Sequence, residues 1–235
     1  MKKPYLKKYS KISDKTVWIV DGKYIRGKLD EEFTSFGHHL RFKFIPKNEF
    51  WIDKEANDGE EQFYIDHMLV ENRLMEEGKS YEEAADKADK KEQKERKRSK
   101  LANRFLQSKI KKDAIIKKIH KKLLKKYSKK IKVWVVNGEL VRDLLFVEFT
   151  EGGHDKVYSF VPKNEIWIDD DVSKKEIKYI LLHELHERNL MCKGWSYDGK
   201  KSAHKSSSEI EYFCRNHPNF LDKKLKKELE ISLKG

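Results

Sequence analysis

Cysteine is nearly absent from this 235-residue chain, which contains only Cys192 and Cys214. Two thiols give no disulfide framework, so we expect a reducing compartment and two small buried side chains. No apolar run approaches the roughly 18 residues that a membrane span needs, and the basic N-terminus lacks the apolar core of a signal peptide. These absences predict a soluble, cytoplasmic protein without a membrane span.

Charged residues are abundant instead. Lysine and arginine number 53 against 40 acidic residues, which gives a net charge of +13. This excess suits a polyanionic partner such as nucleic acid. It equally suits a lysine-rich proteome in which the protein has no such partner, so charge alone leaves the choice open.

Two long stretches of the chain repeat one another. Residues 17–81 align without a gap with residues 133–197, and roughly two fifths of the 65 positions are identical. Internal repeats define architecture, so the chain is predicted to hold two tandem copies of one domain. The predicted limits are 1–97 for the first copy, 98–130 for a connector and 131–235 for the second copy.

Each copy is predicted to be α+β, with a small antiparallel sheet followed by two helices. The alternating "VWIV" and "VWVV" segments, followed by Asp21-Gly22 or Asn137-Gly138, are typical of a β-hairpin. A second hairpin is predicted from "RFKFIP" with "EFWID", and from "VYSFVP" with "EIWID". The pattern then predicts a helix over 174–192 and another after Ser196-Tyr197.

The connector is rich in lysine and is predicted to be one long basic helix. Its isoleucines and leucines recur near helical spacing between Ile110 and Leu124. The basic face could lie on nucleic acid or on an acidic membrane surface, or it could simply be solvated beside a packed stripe.

Polar residues inside the apolar helix "YILLHELHERNLM" are the main functional signal. His183 and Glu187 are four apart, so both side chains reach one cation from the same helical face. Glu184 follows the first histidine, where the zinc motif H-E-x-x-H carries its general base. Three of the polar residues recur in the first copy, at spacings of seven and four: Glu60/Glu176, His67/His183 and Glu71/Glu187.

The next helix is predicted to supply further ligands. His204 and Glu211 share one face of "SAHKSSSEIEYFCR", which we expect to pack antiparallel to the first helix. The predicted set is His183, Glu187 and His204, with Glu211 as a fourth ligand or as a partner that orients a histidine. Zinc is favoured, and manganese or iron is the alternative. The competing interpretation is a helix-face ion pair between His183 and Glu187 without a metal.

The first copy departs from this pattern. Met68 stands where the second copy has Glu184, and Ala85 stands where it has His204. His67, Glu71 and Glu92 remain as a degenerate set. Because the base and one ligand are missing, we expect the first copy to be catalytically inactive.

The elements "HELHERNLM", "GWSY", "AH" and a later glutamate resemble a group of small phage and prokaryotic proteins regarded as zincin-like metallopeptidases. The resemblance covers about 80 residues of the second copy. It implies His183, Glu187 and His204 as ligands and Glu184 as the base of a zinc-dependent peptidase that acts on a protein or peptide. It also implies a phage-like protein, which would act in the host cytoplasm. Glu187 departs from the usual zincin histidine.

A second class of function fits the sequence as well. A non-enzymatic protein associated with nucleic acid, or a structural protein of a virion, could use the duplicated fold and a metal or ion-pair network for stability. The basic connector and the tail "DKKLKKELEISLKG" would supply non-specific electrostatic binding. A protein-interaction module is a third possibility.

Overall fold

The fold is given by a computed structural model that describes residues 3–55, 59–99, 102–103 and 112–234. The chain forms two compact units, and each contains pieces of the chain that are not contiguous. Unit 1 comprises Met1–Ile110 and Glu139–Glu148, and unit 2 comprises Lys111–Gly138 and Phe149–Gly235. The predicted limits of 1–97, 98–130 and 131–235 follow the repeat, whereas the compact units interleave along the chain.

Unit 1 contains a four-stranded mixed sheet in the order β1-β2-β4-β3. Strands β1 and β2 form an antiparallel hairpin, β2 runs parallel to β4, and β3 is antiparallel to β4. The strands are β1 (Tyr5–Ile12), β2 (Lys15–Val20), β3 (Phe36–His38) and β4 (Glu49–Asp53).

A short segment from later in the chain completes this unit, and the sheet is accompanied by helices formed by the described residues. These helices are α1 (Gly22–Lys28), α2 (Glu61–Glu76) and α3 (Tyr81–Arg96). The residues of α2 that face the sheet are apolar, since Tyr64, Ile65 and Met68 pack against Val17 and Ile52. Burial of this face fixes the rotation of α2 and therefore the direction in which its polar residues point.

Unit 2 contains a second four-stranded mixed sheet, in the order β5-β6-β8-β7. Again one pair is parallel, β6 with β8, and the other two pairs are antiparallel. The strands are β5 (His120–Leu123), β6 (Lys132–Val136), β7 (Gly152–His154) and β8 (Glu165–Asp169).

The helices of the second half of the chain are α4 (Lys112–Ile119), α5 (Gly138–Leu144), α6 (Ile177–Cys192), α7 (Ala203–Asn216) and α8 (Leu221–Lys234). Beyond its first residue, α5 belongs to unit 1. In unit 2, α6 packs on the sheet through Leu181, Leu182 and Leu185, and a short 3-10 helix, Pro218–Phe220, leads into α8.

The α+β prediction is confirmed, but the prediction of purely antiparallel sheets is wrong. No strand follows Asp21-Gly22, because the Asp21 side chain accepts a hydrogen bond from the Tyr24 amide and caps α1. The segments "RFKFIP" and "VYSFVP" form turns, and β4 and β8 pair instead with β2 and β6 across long stretches of chain. Such non-local pairing leaves no short-range signal in the sequence.

The connector is not one continuous helix over its described part. Residues 112–119 are helical, but His120–Leu123 turns directly into strand β5 and pairs with β6. Residues 100–101 and 104–111 of the predicted helix, including Ile110, lie outside the described residues.

The basic tail is part of the folded core of unit 2. Leu221 and Leu225 of α8 are buried with the α6 residues Leu182 and Leu185. Within the described part of the chain, no helix combines the length and the apolar character that crossing a bilayer requires.

Candidate metal centre

Three of the predicted ligands meet at one point in unit 2. His183 and Glu187 lie one turn apart on α6, and the Nε2 atom of His183 is 3.6 Å from Oε2 of Glu187. His204 enters from the first turn of α7, where its Nδ1 atom lies 2.9 Å from Glu187 Oε2 and 3.3 Å from His183 Nε2. The three donor atoms all lie within 4.8 Å of one another.

The turn between α6 and α7 sets the position of His204. Gly194 ends α6 with φ of 86°, a left-handed conformation that disfavours other residues. Ser202 caps α7 by accepting a hydrogen bond from the Lys205 amide. The Tyr197 ring stacks on the His204 ring with centroids 4.9 Å apart. This packing and the cap fix the imidazole on the side of α7 that faces Glu187.

His154 orients Glu187 from the sheet, and this contact was not predicted. The Nδ1 atom of His154 accepts a hydrogen bond from the Lys156 amide, so the ring proton is on Nε2. Nε2 therefore donates to Glu187 Oε1 at 3.0 Å, which leaves Oε2 directed towards His183 and His204. His154 lies in the edge strand β7, and from there it holds a candidate ligand in place.

Glu211 lies on the other side of the His183 ring from Glu187 and His204. Its Oε2 atom is 3.0 Å from His183 Nδ1, and Arg215 Nε donates to its Oε1 at 2.8 Å. Arg215 in turn forms an ion pair with Glu176. Of the two predicted roles of Glu211, this geometry favours the orienting one, because its carboxylate contacts Nδ1 while Nε2 faces Glu187 and His204.

Glu184 is buried beside the same centre. A Cβ atom on Gly152 would lie 3.2 Å from its Oε1 atom, so the glycine of β7 leaves the space that this carboxyl occupies. Donor atoms of His154, Glu184 and Glu187 also lie within 4.8 Å of one another. Burial and the negative charge of Glu187 raise the pKa of Glu184 to about 8. A carboxyl with a pKa near neutrality is suited to accept and return a proton.

The groups at the centre are charged rather than neutral. Burial opposes ionisation of Glu187, but hydrogen bonds from His154, His183 and His204 lower its pKa far below the usual value. Burial also opposes the charge on His183, yet Glu187 and Glu211 raise its pKa well above 6.5. A metal would take the place of the proton on His183, so its binding must release protons and weaken in acid.

Unit 1 contains the same network of ion pairs. His38 Nε2 lies 2.8 Å from Glu71 Oε1, and His67 Nε2 lies 3.0 Å from Glu71 Oε2. On the other side of the ring, His67 Nδ1 lies 2.9 Å from Glu92, which Arg96 holds at 2.7 Å. The network is therefore satisfied within unit 1, and unit 2 differs from it chiefly by Glu184 and His204.

We expect the stability of unit 1 to be greatest between about pH 4.5 and 6.5. Burial would lower the pKa of His67, but Glu71 and Glu92 raise it to about 9. This stabilisation is complete below pH 6.5 and disappears as pH rises through 9. Burial would raise the pKa of Glu71, but His38 and His67 lower it to about 2, so its contribution is lost as pH falls from about 4.5 to 2.

Chemical denaturation with a chelator present measures this effect. Between pH 6 and 9.5, the free energy of unfolding should fall by at most about 3 kcal/mol through His67. The His67→Gln variant should lose most of this pH dependence. An equal pH dependence in both proteins would show that His67 carries no linked proton.

The second histidine of "HELHE" serves another purpose. His186 Nδ1 lies 3.0 Å from Glu228 of α8, and its Nε2 lies 3.1 Å from the Ser206 hydroxyl of α7. Asn189 donates to the same Glu228 carboxylate at 2.8 Å. This polar set joins α6, α7 and α8, and it takes no part in the candidate centre. Glu165, another conserved position of the repeat, pairs with His120 and Trp167.

The sequence indicates the residues on α6 and α7, including Glu211 as a partner that orients a histidine. It does not indicate the partner of His154 or the role of Arg215, although both are repeated as His38 and Arg96. Arg96 and Arg215 align only when a three-residue insertion after Tyr197 is allowed for. No family model matches the chain, and neither the curated proteins nor the solved structures include a match to it.

Proposed function

We propose that unit 2 is a zinc-dependent hydrolase of the zincin type, with amide bonds of a peptide or protein as its substrate. The observation that carries this proposal is the convergence of His183, Glu187 and His204 donors beside the buried Glu184. Two imidazoles and one carboxylate fit zinc and leave a coordination position open, with manganese and iron as alternatives.

The protein groups divide into ligands, a base and orienting residues. Bound zinc would lower the pKa of a coordinated water towards neutrality. Glu184 would act as the base that takes a proton from the attacking water, and it would then return the proton to the amine that leaves when the C–N bond breaks. His154 and Glu211 keep Glu187 and His183 in the ligating orientation.

We also propose that the two halves of the chain arose by duplication and that the first has lost catalysis. The shared network from His38 to Arg96 and from His154 to Arg215 supports a common ancestor. Met68 is apolar and Ala85 has no donor atom, so unit 1 lacks both the base and the third ligand of the proposed zinc site.

The Glu184→Gln variant tests the proposed mechanism. Glutamine keeps the shape but cannot accept a proton, so turnover of unfolded protein or a peptide library should fall by about 10² to 10⁴-fold. Zinc content, measured by elemental mass spectrometry, should stay the same. Glu209→Gln, at an exposed position of α7, is the matched control. Full activity in Glu184→Gln with zinc bound would remove Glu184 from the mechanism.

A second candidate function is binding of a polyanion by unit 2. Lys126, Lys129, Lys130 and Lys226 line one cavity together with Tyr127. Phosphate neutralisation releases counterions, so affinity for DNA should fall steeply with salt, by about one order of magnitude or more between 50 and 200 mM. Removal of the four lysine charges should flatten this dependence. Salt-independent or absent binding would leave the hydrolase as the better proposal.

A further inference from the structure

Helix α3 of unit 1 carries its candidate ligand at a different position from α7, the equivalent helix of unit 2. With the insertion allowed for, Ala85 occupies the place of His204, and Asp89 occupies the place of Ser208 one helical turn later. Ala85 is buried and carries no donor atom, whereas Asp89 adds a carboxylate to the same face of the helix. The loss of a ligand at one turn is thus accompanied by the gain of a ligand at the next.

The Asp89 carboxylate points to the opposite edge of the shared histidine. In unit 2 the candidate ligand atom of His183 is Nε2. In unit 1 the Nε2 atom of His67 is held by Glu71, whereas Nδ1 faces Glu92 Oε2 at 2.9 Å and Asp89 Oδ1 at 3.7 Å. Donor atoms of His67, Asp89 and Glu92 all lie within 4.8 Å of one another.

The surrounding groups orient these three donors as they would around a metal. Glu71 accepts a hydrogen bond at His67 Nε2, an arrangement that fixes the ring and leaves Nδ1 for a cation. Arg96 donates to Glu92 Oε1 at 2.7 Å, which leaves Oε2 directed towards His67. The His67 and Glu92 side chains are only 6% and 3% exposed, so their positions are fixed by packing.

A separate observation is the scarcity of cations beside Asp89. Over the described residues of this strongly basic chain, His67 supplies the one cationic nitrogen within 4 Å of Asp89. A bound cation would therefore pair with a carboxylate that has no lysine or arginine within this distance.

We propose that unit 1 holds its own cation, bound by His67 Nδ1, Asp89 and Glu92. Two carboxylates and one imidazole form a harder, more oxygen-rich set than the zinc set of unit 2, so Mn²⁺ suits it better. On this proposal the first repeat binds a different metal from the second, and it does so through Nδ1 of the shared histidine instead of Nε2. The site does not depend on the proposed hydrolase, because no residue of unit 2 contributes to it.

Electron paramagnetic resonance of Mn²⁺ tests this site in the full chain. The six-line signal of free Mn²⁺ disappears on binding, so titration counts bound ions at pH 7.5. The protein is first loaded with zinc to occupy unit 2. The zinc-loaded wild type should bind one Mn²⁺ per chain, and the Asp89→Ser variant, which restores the residue of the second repeat, should bind none.

Asp86→Ser is the matched control. It removes an aspartate from the same helix, but Asp86 is exposed and pairs with Lys90. This variant should still bind one Mn²⁺. Equal Mn²⁺ binding by Asp89→Ser and Asp86→Ser, or none by the wild type, would overturn the proposal. The zinc content of unit 2 is counted in the same samples, so failure here is distinguishable from failure of the zinc site.

Discussion

The His204→Ala variant is expected to lose stoichiometric zinc binding. Three candidate ligands converge in unit 2, and His204 Nδ1 is the donor atom from the second helix. Structural zinc sites gain about 10–16 kcal/mol from four ligands, so loss of one should cost about 3–4 kcal/mol, or several hundredfold in affinity. The first repeat already carries this change naturally, since alanine stands at the equivalent position.

Zinc content after dialysis against micromolar free zinc measures this effect. His217→Ala is the matched control, because His217 is exposed at the end of α7 and contacts the Phe213 carbonyl. It should keep its zinc, and circular dichroism should show both variants folded. Zinc retained at full stoichiometry in a folded His204→Ala protein would exclude the proposed ligand set.

The second large effect concerns Arg215, which stabilises the polar interior of unit 2. Its side chain is 4% exposed and pairs with Glu176 and Glu211, both of them buried. Replacing it with methionine keeps much of the volume but removes the cation that Arg215 supplies to both buried carboxylates. Breaking a buried pair in this way costs about 3–5 kcal/mol.

Urea denaturation followed by circular dichroism measures the loss. Arg98→Met, at an exposed position, should change the free energy of unfolding by less than about 0.5 kcal/mol. The triple variant with Glu176→Gln and Glu211→Gln should recover part of the stability, because it removes the charges left behind. A change under 1 kcal/mol in Arg215→Met would show that these carboxylates are solvated or protonated instead.

The sequence was able to predict those contacts of the site that join residues close together along the chain. A spacing of four on a helix brings His183 and Glu187 together whatever the rest of the fold does, so the sequence was enough. His154 lies 33 residues from its partner Glu187. Its contact depends on the edge strand β7, whose three residues carry no recognisable strand pattern. The sequence offered one indication, the presence of this histidine in both copies. That repetition shows that the common fold retains the residue, but it does not show which residue it contacts.

The sheets were only partly predictable for the same physical reason. The apolar strands "VWIV" and "EFWID" are recognisable, but their parallel pairing brings together residues more than 30 positions apart. Asp21-Gly22 matches the chemistry of a hairpin turn and also that of a helix start. Tertiary contact decides between them, because the Asp53 carboxylate accepts a hydrogen bond from the Gly22 amide and occupies the space beside its Cα.

Because each compact unit contains segments that are not contiguous in the chain, the protein cannot be cut into its two units at a single point. Glu139–Glu148 lies within the second repeat but belongs to unit 1, where Arg142 forms an ion pair with the buried Glu60. A fragment that ends at the connector would lack this segment, and Glu60 would lose one of its two arginines. Deletion of the second repeat would therefore remove part of unit 1 as well as unit 2. Unit 1 therefore needs a segment of the second repeat to pair its buried Glu60 fully, and this need would oppose separation of the two repeats into independent proteins during evolution.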